Sequence, residues 1–297
     1  MTLGTQISEA GQAVIRTPVA NVGRELVAQL QQLLSAPFRV EIGTIADSTG
    51  ARTTPFGALI CVGGQPIAGG GVEAVVRTES VAVAIDATHT LDLDGLVGAY
   101  VRIAAAKAMT KTAPAPGNQV IEPTLGVIFA VDATVPLEDL AAELERLNKS
   151  TPSNHWPDAV VIATKGQIAY MAQWLGETKL NLLLPPSPDA FKRNIYPLYA
   201  VMMMSASDAG TFNLAMHMII GQLIRWSPGY ALAGSETILD DVPRTGINWT
   251  GYQYNLAGEL QPVPREQYRD RMMPLRSFSL TPRGQTDSIA SIDRERP

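Results

Sequence analysis

The sequence predicts an α/β fold built on a mixed sheet flanked by helices, with a C-terminal extended arm. Three observations lead there. Short β-branched apolar runs alternate along the chain with amphipathic stretches of helical period. Two pairs of those runs are joined by turns short enough for hairpins, so the sheet holds antiparallel as well as parallel neighbours. Apolar residues make up 46% of the 297 positions and charged residues 17%, the balance of a chain that buries a large core.

The elements follow in order. Val22–Ala36 places Leu26, Leu30, Leu33 and Leu34 at helical spacing, Pro18 and Asn21 lie in its entry region, and Pro37 ends it. Phe38–Ala46 and Phe56–Val62 read as two strands of a hairpin, with the turn signal Asp47-Ser48-Thr49-Gly50 between them. Gly63–Gly71, rich in glycine, reads as a loop. Ser80–Ala87 is a β-branched run suited to a central strand buried on both faces, with Val83 and Ile85 fully covered. Leu93–Met109 reads as a helix with Leu96, Tyr100, Ile103 and Ala104 on one face, followed by a surface linker at Lys111–Gln119. Leu125–Val131 is another buried strand and Leu137–Asn148 a helix; Asp158–Ala163 and Gln167–Met171 form a second hairpin through Lys165-Gly166. Leu198–Trp226 is the most apolar stretch, but Asp208, Asn213 and His217 interrupt it. It reads as a buried helix or helix pair rather than a membrane span. Within it, Ser205–Asp208 marks a helix cap or break, and Met202–Met204 reads as core filler.

Beyond Pro228 the composition changes. Tyr230, Trp249, Tyr252, Tyr254 and Tyr268 are scattered without a period, and seven arginines follow position 264. The organisation expected is therefore a body over 1–228 and an arm over 229–297.

Charge narrows the function classes. The net charge is −5; residues 1–150 carry 10 Lys+Arg against 15 Asp+Glu, and the remainder balance at 13 and 13. Phosphate neutralisation supplies most non-specific nucleic-acid affinity, so this balance disfavours a nucleic-acid binder. The single cysteine, Cys61, lies in an apolar run and reads as a core residue, and it fits a reducing, cytoplasmic setting. The N-terminus lacks the pattern of a signal peptide. His89, His155 and His217 are scattered and show no zinc-site spacing. No cofactor is expected.

A more specific reading rests on the motifs GRELVAQL at 23–30, VEIGTIADSTG at 40–50, PFGALICV at 55–62, GGG at 69–71 and ESVAVAIDATHTL at 79–91. Further along stand GVIFAVD at 126–132 and WPDAVVIATKG at 156–166. Over roughly residues 15–226 the chain resembles a family of bacterial and phage nuclease-like proteins in the PD-(D/E)XK superfamily, which implies a restriction-endonuclease-like fold. Such nucleases activate water with Mg²⁺ held by convergent carboxylates, and a lysine assists. The resemblance places the helix glutamate at Glu25, the first strand carboxylate at Gly57, the second at Asp86 and the lysine at Thr88, with Ala87 between the last two. Glycine brings no ligand and threonine no charge. Glu25 and Asp86 are retained as carboxylates while Gly57 and Thr88 lose the acid and the lysine, so the resemblance implies a degenerate site over these four positions, with no catalytic residue and no metal site.

Asp86 then reads as a strand-end acid bonded to nearby backbone or hydroxyl groups, and His89 as its alternative partner or a lone exposed side chain. The leading expectation is a catalytically inactive, pseudo-nuclease module in a homo-oligomer held by N- and C-terminal arms, with no membrane association. The resemblance alone implies a phage or host-defence setting. Two alternatives stand beside it. One is a nucleic-acid-binding protein without cleavage, its groove lined by Lys107, Lys111, Lys165, Lys179, Lys192 and Arg193. The other is an active metal-dependent nuclease with a relocated site using Glu25, Asp86 and Glu73 or Glu79.

Overall fold

The computed structural model describes residues 1–63, 73–112, 123–148, 150–152, 155–173, 198–205, 208–227, 230, 232–235, 238, 248–254 and 260–263. Helix α1 (Leu3–Ile15) and α2 (Val22–Leu33) precede the hairpin β1 (Phe38–Ala46) and β2 (Phe56–Val62). Then come β3 (Ala74–Arg77), β4 (Val81–Leu91), α3 (Leu93–Ala108), β5 (Leu125–Ala133) and α4 (Leu137–Asn148). A second hairpin, β6 (Ala159–Ile162) and β7 (Gly166–Gln173), leads to β8 (Leu198–Ser205), α5 (Asp208–Trp226), β9 (Asn248–Tyr254) and β10 (Leu260–Val263).

One ten-stranded sheet runs in the order β10-β9-β8-β7-β6-β5-β4-β2-β1-β3. β1, β2 and β4 form an antiparallel meander. β4, β5 and β6 are parallel, as the intervening helices α3 and α4 require. The mixed α/β architecture and the helix–hairpin–strand–helix–strand order are those expected.

Alternate residues of the central strands feed two cores. Ala58, Ile60, Ile85, Val127 and Phe129 pack under α1, α2 and α5. Leu59, Cys61, Ala84, Ile128 and Ala130 pack under α3 and α4. Val83 and Ile85 are buried, as a central strand demands. α3 starts where the Asp92 carboxylate accepts the Gly95 N–H at 2.7 Å, with Asp94 in its first turn and Lys107 in its last, a match to the helix dipole. α2 stops at Leu33, short of the expected Ala36, because Leu34 already adopts extended backbone.

Several expectations change. The N-terminal arm is instead helix α1, capped by Thr2 and packed on its own chain. Leu3, Ile7, Ala10 and Val14 are buried, and a Cβ on Gly11 would lie 2.7 Å from Phe212 Cβ. Asn213 ties the two helices: its amide donates to the Gly4 and Ile238 carbonyls at 3.2 Å each, and its oxygen accepts from Ser8 at 3.1 Å. The first part of Leu198–Trp226 is strand β8 rather than helix, because β7 and β9 offer it hydrogen-bonding edges on both sides. Nor does the body stop at 228. Tyr230 meets Phe38 edge-on with centroids 4.6 Å apart, Ile238 is buried, and β9 and β10 extend the sheet. Residues 264–297, most of the expected loop (64–71 of Gly63–Gly71) and most of the expected linker (113–119 of Lys111–Gln119) lie outside the described residues, as do the side chains of Met202–Met204. No described helix is long and apolar enough to cross a membrane.

Candidate functional site

The positions singled out by the motifs fall on β2, β4 and α2, and the geometry divides them between the two faces of the sheet. On the α2 face the backbones come close. A Cβ on Gly23 of α2 would stand 3.2 Å from Gly57 Cα, and a Cβ on Gly57 would stand 2.7 Å from Ala87 Cβ. Phe56 and Leu59 both turn into the α3 core, so strand alternation breaks around Gly57. That break aims position 57 at Ala87 rather than at Asp86. Glu25 sits half-buried on α2, where its carboxylate accepts from the Gln29 amide one turn on at 2.7 Å.

Asp86 points the other way. It is 8% exposed and its Oδ2 accepts from Arg102 Nε of α3 at 2.6 Å. The guanidinium takes the place of the backbone or hydroxyl partner expected from sequence, and no spacing rule flags it because the two residues belong to different elements. Thr88 shares that face by alternation, opposite Ala130; its hydroxyl donates to the Thr90 carbonyl at 3.5 Å. His89 pairs with the Thr90 hydroxyl through Nδ1 at 3.0 Å rather than with Asp86. Glu79 accepts from the Thr112 N–H at 3.0 Å. Glu73 precedes β3, at the far edge of the sheet, and does not join Asp86.

Two polar clusters escaped the sequence reading. At the amino end of β5, the Lys107 ammonium, its side chain 3% exposed, lies 2.7 Å from Asp158 Oδ2 and donates to the Trp156 carbonyl at 2.8 Å. The same carboxylate oxygen accepts the Gly126 N–H at 2.6 Å. Gly126 admits α3 here: a Cβ would lie 2.4 Å from an Ile103 methyl. Burial pushes the Asp158 carboxyl above the ordinary carboxylate value, even though Lys107 opposes that shift. At the other end, Asp132 accepts from Thr164 Oγ1 and from the Ala133 N–H, both at 2.8 Å, and Lys165 donates to the Ala133 and Val135 carbonyls. Desolvation opposes ionisation of Asp132, but those hydrogen bonds outweigh it and hold its carboxyl below the ordinary value.

These contacts also use the cations suggested for a groove. Lys107 and Lys165 bond to the protein's own oxygens, and Lys111 sits over the Trp226 ring at 4.5 Å from the centroid. Lys179, Lys192 and Arg193 lie outside the described residues. Burial drives the Cys61 thiol up to about 12, the behaviour of a core cysteine rather than a nucleophile. Among the described residues, no three His, Cys, Asp or Glu side chains come together as a set able to hold a metal ion.

No family model matches the chain, and no curated protein matches it. Among solved structures, it is similar to NucC from P. aeruginosa ATCC27853 in a cAAA-bound form, with 15% identity and a TM-score of 0.48 over 56% of this chain and 77% of that one. It is likewise similar to the cAAA-bound form of E. coli MS115-1 NucC, with 15% identity and a TM-score of 0.47 over 56% of this chain and 75% of that one.

Proposed function

We propose that this chain is a nuclease-like protein without a working hydrolytic centre, serving as a structural or interaction module in a homo-oligomeric or larger assembly. The observation that carries the reading is the division of the motif across the sheet. Asp86 is paired with Arg102 beneath α3, whereas Glu25 and Gly57 belong to the α2 side. A hard divalent cation needs several carboxylate oxygens converging at short range. Gly57 contributes none, Asp86 has a guanidinium on its oxygen, and Thr88 lacks the charge with which a lysine would steady the phosphate or the water. The residues present do not fit Mg²⁺.

Purified protein incubated with Mg²⁺ or Mn²⁺ leaves supercoiled plasmid, linear DNA and RNA intact on this reading. Cleavage that disappears in Asp86→Ala would overturn it. The assembly half rests on composition: the arginine-rich segment after position 264 carries residue types enriched at interfaces. Truncation after Val263 keeps β10 and yields a folded protein with fewer subunits per particle; an unchanged number of subunits would remove the C-terminal segment from the interface. The lone buried Cys61 supports a reducing, cytoplasmic setting.

A further inference from the structure

The two edges of the sheet differ. β10 carries Pro262, which removes a backbone donor and blunts that edge against pairing. β3 closes the opposite edge, and among the described residues no strand pairs with its outer side. Its sequence, Ala-Val-Val-Arg, has no proline or glycine, and its parallel register with β1 runs without a bulge from Ala74 to Arg77.

The side chains of this edge alternate. Ala74 and Val76 turn into the core at 8% and 0% exposure, while Glu73 and Arg77 are exposed and Val75 is half-buried on the outer face. Glu73-Val75-Arg77 is therefore a strip that reads negative, apolar, positive, and such a strip is complementary to itself when reversed. We infer that the outer edge of β3 pairs antiparallel with β3 of a second copy of this chain about Val75, setting Glu73 of each copy against Arg77 of the other.

A two-fold axis at Val75 makes the contact isologous, with one strand edge serving both partners and each charge pair formed twice. Parallel pairing in register would set Glu73 against Glu73 and Arg77 against Arg77, and directly opposed like charges are destabilising. A one-residue slip of the antiparallel pairing would set outward residues against inward ones, the mismatch that the strand's period of two forbids. The pattern therefore selects both the direction and the register. A seam this short falls below the roughly 800 Å² per partner of a stable interface, so it is a weak contact, sensitive to salt. It names one interface within the homo-oligomer proposed above and rests on that reading.

Sedimentation equilibrium of the full chain, across a range of protein concentrations, tests it with three variants. Glu73→Arg and Arg77→Glu each place like charges opposite one another twice and weaken self-association by roughly tenfold. The double variant Glu73→Arg/Arg77→Glu restores the complementary strip and recovers the wild-type association. Both side chains are exposed, so circular dichroism of all variants matches the wild type. Self-association unchanged in the single variants, or not recovered in the double variant, refutes the β3 pairing and leaves the homo-oligomer standing. A wild-type chain that sediments as a monomer at every concentration refutes both.

Discussion

The two faces of β4 are built by different chemistry, although the same eleven-residue strand supplies both. Under α2 the fit is steric: Gly23, Gly57 and Ala87 bring helix and strands together with almost no side chain between them. Under α3 the fit is electrostatic: Asp86 pairs with Arg102, and the last turn of the same helix is pinned by Lys107 on Asp158. A linear motif treats Glu25, Gly57, Asp86 and Thr88 as one site. The strand puts them on two surfaces, one close-packed and one ion-paired, and each surface has a structural use for its residues.

The largest expected effect lies on the electrostatic face. Lys107→Met leaves the Asp158 carboxylate in the interior without its cation, at a cost of about 3–5 kcal/mol measured by denaturant unfolding. Arg102, whose side chain is 40% exposed, forms a pair screened by water, so Arg102→Ala costs less. Equal losses at the two positions would contradict the ranking of the pairs by burial.

The steric face is broken by addition rather than removal. Gly57→Asp supplies the carboxylate that the resemblance expects at this position, but its Cβ would meet Ala87 Cβ at 2.7 Å. The expected result is a loss of about 1–3 kcal/mol with no gain of nuclease activity. A variant as stable as the wild type that cuts DNA with Mg²⁺ would show the α2 surface to be a site needing only its ligand.

Much of this fold is readable from the chain, and the failures have physical causes. β1, β2 and α4 begin and end where their patterns predict, since each has clear alternation or helical spacing bounded by turn residues. α1 carries its signal in Leu3, Ile7, Ala10 and Val14 at helical spacing, but a short segment at the start of a chain reads equally well as an arm. β3 is four residues long, too short to display a period. β8 is an apolar run that periodicity alone cannot separate from a buried helix. At the candidate site the residue types were legible and their faces were not. The break in alternation at Gly57 and the Asp86–Arg102 pair are tertiary facts that no spacing encodes.

The smallest expected effect is a pH dependence. Burial holds His217 of α5 below its ordinary value of 6.5, and His155 is lowered by burial and by Lys107. A histidine depressed in the folded state takes up its proton more readily when unfolded, so folding is favoured above about 6.5 and loses stability as pH falls toward the folded value. Denaturant midpoints therefore decline below about pH 6.5, and His217→Gln makes that decline shallower. An unaltered slope in the variant would show that His217 does not titrate in this range.

The central claim is that the motif positions form no divalent-ion site, and a Mn²⁺ titration followed by electron paramagnetic resonance tests it without depending on catalysis. The predicted result is that free Mn²⁺ rises in step with added Mn²⁺, identically for the wild type, Asp86→Asn and Glu25→Gln. Stoichiometric Mn²⁺ binding by the wild type that is abolished in either variant would contradict it.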